Sequence, residues 1–305
     1  MRLLLFTALF FVNVITSIAQ KERVVQKPAP VKSLLWEISG NGIKQPSYLF
    51  GTMHIICRDD ALLSKAMEKI IANSSAIYLE LDMDNMMELL GIFQYMNMKG
   101  GKKLGDYLTA EEVKRVKDWF VKNQPLIPAM MIEKMKPIFL SSMVGEKGFN
   151  CQQPDGMEMR IMEEANKHGK EIKGLETMAY QAGIMDSIPY EIQAKELIKS
   201  IDSGDVQDSS VKMLIDLYKQ QDIDKLDTMM NKTEGEMSKY NEFLLYRRNR
   251  NWADKINTLI KSNSYLFAVG AGHLPGNKGV IALLRKLGYT VKPVENKWAA
   301  PSNEM

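Results

Sequence analysis

Cysteine, histidine and long apolar runs are what this sequence has least of. Only Cys57 and Cys151 carry thiols in 305 residues. Neither belongs to a Cys-x-x-Cys pair, which argues against a thiolate-ligated structural zinc site. A disulfide between them and two separate thiols both stand open, because sequence does not establish proximity. An excess of one charge is missing too: 40 Lys and Arg face 37 Asp and Glu, interspersed, for a net +3. Nothing in that balance calls for nucleic acid or another polyanion as a partner. Beyond the first twenty residues no stretch approaches the roughly 20 apolar residues of a spanning helix. No stable membrane insertion is therefore expected once a leader is removed.

The first twenty residues have the pattern of such a leader. Arg2 precedes the uncharged run Leu3 to Val12, and Ser17 and Ala19 stand where a signal peptidase reads small residues. Cleavage is expected after Ala19, and no cysteine follows the apolar core to take a lipid anchor. The mature protein is expected to be extracytoplasmic, periplasmic or secreted, with an uncleaved anchor as the minor alternative. Residues 1–19 thus read as signal peptide and residues 20–32, rich in proline and charge, as a flexible tether. Residues 33–296 read as a single domain, at the upper end of what one core supports, and residues 297–305 as a tail.

The apolar pattern along the domain predicts an α/β fold. Ser33 to Glu37 and Pro46 to Gly51 are apolar runs flanking Gly40-Asn41-Gly42, the composition of a hairpin turn. Helical spacing follows from Ala61 to Ile71, then a strand from Ala76 to Leu81 with Glu80 near its end. The middle is helix-rich: Asn85 to Met98, a capping-box helix from Thr109 to about Lys122, Met130 to Val144, and Met157 to Lys167 stopped by Gly169. Glu171 to Leu175 reads as a strand followed by a helix from Thr177. Long helices are expected over Tyr190 to Gln220 and Met237 to Ser262. Strand Ser264 to Val269, helix Asn277 to Leu287 and strand Tyr289 to Val294 close the domain. The many methionines fall on helix faces and read as core filler rather than ligands.

Against this background two distant segments repeat one another. Ser47-Tyr48-Leu49-Phe50 leads into Gly51-Thr52-Met53-His54, and Ser264-Tyr265-Leu266-Phe267 leads shortly into Gly270-Ala271-Gly272-His273. Each copy is strand, Gly-x-x-His turn, helix, strand, so the chain is expected to build a mostly parallel or mixed central sheet from two βαβ-like repeats. In such sheets functional residues gather at the carboxyl ends of strands, where both turns fall. The chain has three histidines, and with glycine at about 7% of residues the chance that two of three follow a glycine by three places is on the order of 1%. His168, in the last turn of a helix, reads as a favourable partner of the helix dipole.

Glycine at the head of each turn is expected to let the backbone take a positive φ and aim the histidine over the sheet edge. Two imidazoles gathered there suggest a divalent metal ion, with Glu80 completing a two-His, one-carboxylate set open to water. The plainer alternative is that each histidine only hydrogen-bonds its own turn.

Leu35-Trp36-Glu37-Ile38, Tyr48 to His54, Glu80, Gly174-Leu175-Glu176-Thr177 with Gln181, Arg248-Asn249, and Val269 to Leu274 with Gly276 together resemble the TraB, PrgY and GumN family, which includes the Tiki proteases. The likeness runs from about Ser33 to Val294. It implies a fold related to the erythromycin esterase and ChaN-like group and, in Tiki-type members, a metal-dependent peptidase acting on a peptide or protein substrate. It places His54, His273 and Glu80 at the metal, with Glu80, Arg248, Asn249 and Glu176 as catalytic candidates. Glu80 is either ligand or general base. Arg248 is either an oxyanion fork or part of a solvated helix face, and Glu176 either acts or props a helix start. Tyr78 and Trp252 read as packing. One departure is that Gly156-Met157-Glu158 stands where members commonly carry Gly-x-Asp, which leaves Glu158 without an assigned role. The leading expectation is an exported metal-dependent hydrolase, a peptidase. Its alternatives are a heme- or metal-binding protein of ChaN-like type, or an accessory protein in surface polysaccharide export.

Overall fold

A computed structural model describes residues 32–85, 91, 95–147, 154–233 and 235–298. The expected leader, almost all of the tether, most of the Asn85 to Met98 helix, Cys151 and the end of the tail lie outside these residues.

The chain enters through strand β1, Leu35–Ser39, and turns into β2, Ser47–Thr52, as an antiparallel hairpin. The turn works because Gly40, Asn41 and Gly42 all take positive φ, at 79°, 47° and 79°, a region that glycine and asparagine enter most readily. A short β3, Ile56–Cys57, then leads to helix α1, Lys65–Asn73, which Ser64 caps by accepting from the Met67 amide. Strand β4, Ile77–Leu79, follows.

The helical middle comprises α2 (Ala110–Asn123), α3 (Ala129–Lys134) and α4 (Pro137–Glu146). Thr109 and Glu112 form the expected capping box of α2. The single helix expected over Met130 to Val144 is two, because Pro137 disfavours helical geometry at Lys136, which adopts ψ 131°. After β5 (Pro154–Asp155) come α5 (Met157–Lys167), β6 (Ile172–Gly174) and α6 (Met178–Met185). The 30-residue α7 (Tyr190–Lys219) and α8 (Ile223–Thr233) follow.

The second long helix expected, Met237 to Ser262, is broken into a 3-10 segment at Gly235–Tyr240, a π turn at Glu242–Tyr246, and α9, Arg247–Leu259. Strand β7 (Leu266–Gly270), α10 (Val280–Lys286) and β8 (Thr290–Pro293) complete the order.

Six strands form one mixed sheet in the order β6-β4-β7-β2-β1-β8. The pairs β6–β4, β4–β7 and β7–β2 are parallel, while β1 runs against both neighbours. The two βαβ repeats are thus interleaved: β7 of the second lies between β2 and β4 of the first. All five residues of β7 are buried, as befits a strand covered on both faces. The sheet core is one cluster of buried side chains, and a second, centred on Phe120, Leu140 and Leu197, lies among the middle helices. Helix α7 contributes to both, through Leu197 to the second and through Leu217 and Tyr218 to the first.

Candidate active site

Register decides the site. In the β2–β7 pair Gly51 lies opposite Val269 and Thr52 opposite Gly270, so both Gly-x-x-His turns leave neighbouring strands at one level. The glycines achieve this differently from expectation. Neither Gly51 nor Gly270 has positive φ; Gly270 sits at φ −49°, ψ 134°. What they supply is absent volume. A Cβ on Gly51 would stand 2.8 Å from the Leu274 Cδ1 atom and 3.1 Å from the Ala271 backbone. One on Gly270 would stand 3.3 Å from Glu80 Oε1, 3.4 Å from His54 Nε2 and 3.5 Å from the His273 ring.

Around that space three side chains meet. Strand β4 flanks β7 on the other side, and Glu80, just past its end, accepts the Gly270 amide at Oε1 (2.8 Å). The same oxygen lies 3.8 Å from Nε2 of His54 and 3.8 Å from Nε2 of His273. His273 is buried, whereas the His54 side chain keeps 61% of its surface open. His168 is remote in role, bonded to Glu164 one helical turn away.

A shell of hydrogen bonds fixes each of these groups. His273 Nδ1 donates to Asn249 Oδ1 at 2.5 Å, and Asn249 in turn donates to the Lys278 carbonyl. His54 Nδ1 donates to Glu158 Oε1 at 2.7 Å, which also accepts the Thr52 hydroxyl at 2.6 Å. Glu158 is thus the orienting carboxylate of His54. Gly156 brings it there, since a Cβ at 156 would lie 2.7 Å from the His54 carbonyl oxygen, and the Met157 amide bonds to Met53.

Arg248, from α9, is buried rather than part of a solvated face. Its NH2 reaches Glu80 Oε2 and Glu176 Oε1 at 2.5 Å each, and NH1 donates to His273 Nε2 at 3.2 Å. Glu176 further accepts from Gln181 (2.8 Å) and Trp252 (3.1 Å). Trp252 does more than pack. It meets the His273 ring at 4.4 Å between centroids, tilted by 46°, and lies under the Arg248 guanidinium. Its spacing of four from Arg248 puts both on one helix face, the signal that finds it in sequence. Glu158 has a weaker signal, its place in a Gly-x-acid triplet. Tyr78 packs against Tyr265 and Phe267 as expected.

The site holds more carboxylate than guanidinium: Glu80 and Glu176 share the single guanidinium of Arg248, while Glu158 bonds to His54 and Thr52. Burial would raise Glu80, but His273, Arg248, His54 and the Gly270 amide bring its pKa down to about 2. His54 loses hydration at its inner edge, which lowers its pKa, yet the bond to Glu158 and the charges of Glu158 and Glu80 raise it to about 9. Solvent entering at the open face screens these charges. Burial pushes His273 down to about 3, with Arg248 and His54 adding to the effect. It is thus a neutral imidazole, its Nε2 lone pair turned toward Arg248 and Glu80.

Among the described residues, no three His, Cys, Asp or Glu side chains stand close enough together, as placed, to hold a metal ion. None of the described helices is long and apolar enough to cross a membrane. No solved structure gives a significant match to the chain. Among curated proteins it is similar to the metalloprotease TIKI2 of Danio rerio, 22% identical over 92% of this chain and 66% of that protein. It is also similar to TIKI2 of Xenopus tropicalis, 22% identical over 86% of this chain and 60% of the relative. A shorter stretch, 22% of this chain, is 39% identical to the metalloprotease TIKI homolog of Amphimedon queenslandica. The chain spans less than two thirds of the length of the two TIKI2 relatives. Residues 34–293 match the family model described as TraB/PrgY/gumN, and with the fold and the paired turns in view, the chain belongs to the TraB/PrgY/gumN family, whose members here are named as metalloproteases.

Proposed function

We propose that this chain is an exported metal-dependent peptidase. One observation carries the reading: the Nε2 atoms of His54 and His273 each lie 3.8 Å from the same oxygen of Glu80, with both Nδ1 atoms already spent on Glu158 and Asn249. Rings anchored at Nδ1 and facing one carboxylate at Nε2 are the chemistry of a two-His, one-carboxylate donor set. The excess of carboxylate over guanidinium favours a cation there as well. Donor identity and charge therefore fit a divalent ion held by His54, His273 and Glu80, once Arg248 yields the His273 lone pair and His54, with its pKa raised to about 9, gives up its Nε2 proton to the incoming cation. Such an ion, when bound, polarises a carbonyl and acidifies water.

The chain's own groups have separable tasks. Glu80 reads as ligand rather than base, because Oε2 is occupied by Arg248 and Gln181 and only Oε1 faces the histidines. The NH1 of Arg248 lies next to His273 Nε2, where it can donate to the carbonyl oxygen of a bound peptide as negative charge develops. Asn249 and Glu158 hold the two ring tautomers, and Glu176 with Trp252 holds Arg248. In the reaction the oxygen of water adds to the carbonyl carbon and the C–N bond breaks. Both protons of that water end on the departing nitrogen, which leaves as an ammonium and leaves a carboxylate on the other fragment.

Export rests on residues 1–19 as leader, with residues 20–32 as tether, 33–296 as the folded domain and 297–305 as tail. The purified chain, given an unstructured, internally quenched peptide, is expected to cleave it with a divalent cation and to stop on chelation. His54→Ala and His273→Ala are each expected to abolish cleavage with unchanged circular dichroism. Full activity in either variant overturns the proposal. No cleavage with any cation, joined to a hemin Soret band that His54→Ala weakens, replaces it with a carrier.

A further inference from the structure

His54 stands in the wall of two cavities of unlike character. One, about 320 Å³, includes Glu80, Glu158 and Gln181 in its lining. The other, about 310 Å³, is bounded by Met53, Leu214, Tyr218, Leu226, Leu245 and Ala271 together with the two histidines. No Lys, Arg, Asp or Glu side chain lines this second cavity. Its two hydroxyls, on Thr52 and Tyr218, already donate to Glu158 Oε1 at 2.6 Å and to the Gly51 carbonyl at 2.9 Å, so Tyr218 offers its ring and not its oxygen. A charged or amide side chain reaching past the two histidines to the far wall would lose water against leucine and methionine surface, whereas an aliphatic or aromatic one would exchange water for that surface.

We propose that this cavity is the specificity pocket of the enzyme and takes one large apolar side chain, of leucine, methionine or phenylalanine type, from the residue next to the scissile bond. The inference rests on the peptidase reading and adds the substrate class to it. A peptide lying over His54 then has its reacting carbonyl near the histidine pair, its apolar side chain under α7 and α8, and its continuing backbone along the carboxylate-lined cavity. Leu214, on α7, is one wall of the pocket. It packs against the sheet core but is only partly buried, so its size can change without opening that core.

The test is a set of quenched peptides differing at one position on either side of the cleaved bond, read as kcat/KM with the purified chain and a divalent cation. Leu, Met or Phe is expected to exceed Gly, Asp or Lys by about 100-fold or more at one of the two positions, since each methylene in an apolar pocket is worth roughly 10- to 200-fold. Leu214→Trp is expected to lower kcat/KM for the Leu peptide at least about tenfold more than for the Ala peptide. Leu214→Ala is expected to move the preference toward Phe. A second readout needs no turnover: in chain free of metal and labelled at methionine methyls, N-acetyl-leucinamide is expected to shift the Met53 resonance and N-acetyl-glycinamide to leave it.

Cleavage without side-chain preference, or a preference that both Leu214 variants leave intact, overturns the pocket and spares the peptidase. No cleavage of any peptide by the wild-type chain overturns the peptidase reading. The Met53 resonance then judges the cavity alone, and an unmoved resonance overturns that too.

Discussion

At position 270 a single missing carbon holds the site open. Gly270 has backbone angles that alanine adopts without strain, and a Gly→Ala change at a compatible position adds about 0.4–1 kcal/mol of stability through the unfolded chain. The new methyl would nevertheless stand among Glu80, His54 and His273, 3.3–3.5 Å from each. Gly270→Ala is therefore expected to leave the melting temperature within a degree or two, since that gain is set against tight contacts, and to weaken divalent-cation affinity at least about tenfold. Calorimetry and competition against a chromophoric chelator read the two effects separately. Wild-type affinity in this variant would mean that the ion does not sit among those three groups. Glu158 allows a graded test of the same site. Glu158→Gln keeps an oxygen that accepts from His54 Nδ1 and Thr52, so it is expected to lose less affinity than Glu158→Ala, for which the loss is about 10- to 100-fold. Equal losses in the two variants would show that charge, not ring orientation, is what Glu158 supplies.

Among the elements, what sequence revealed followed from local rules. The Gly40-Asn41-Gly42 turn, the Thr109 capping box and the Gly169 stop each depend on a few adjacent residues, and each lies where patterning puts it. Breaks with longer causes were hidden. Pro137 ends α3 before its apolar stripe does, and the π turn at Glu242–Tyr246, of a kind that recurs at functional sites, has no compositional mark. The glycine turns were found for one reason and function for another, volume in place of φ. Near the Pro137 break lies a buried ion pair whose pH dependence can be checked. Lys136, almost fully buried, reaches Asp186 Oδ1 at 2.7 Å, and the carboxylate also accepts from Tyr190 and Lys99. Burial would raise the Asp186 pKa, but these partners bring it below the ordinary 3.8. The carboxylate binds a proton more readily when the chain is unfolded, so its contribution is complete above pH 3.8 and is lost as pH falls through the lower folded value. Asp186→Asn strands the Lys136 charge and is expected to cost about 3–5 kcal/mol at neutral pH. The gap in melting temperature between variant and wild type should hold steady down to about pH 3.8 and shrink as the pH falls further. A gap independent of pH would mean that the amide is tolerated or that packing, not charge, is lost.

On the scale of the whole chain, the site exists only because the repeats interleave. His54 and His273 are brought to one level by β2 and β7, strands from opposite ends of the domain that pair directly, and β4 completes the set from the far side of β7. The echo between the segments was legible because histidine is so scarce. The strand order was not, since periodicity says that a strand is buried but not which strand it pairs with. This arrangement places the catalytic candidates on the sheet core, while the second core, built around Phe120, Leu140 and Leu197, contributes none of them. The two clusters share helix α7, which at 30 residues and 1.5 Å per residue spans about 45 Å. Stability should then be uneven between them. Phe120→Ala removes a fully buried ring and is expected to cost about 3–5 kcal/mol. Native-state hydrogen exchange should show that cost in the amides of α2, α4 and the first half of α7, while those of β2 and β7 keep wild-type protection. Equal loss of protection in β7 would show that the helical layer and the sheet open as one unit, and that the site depends on the whole domain rather than on the sheet that carries it.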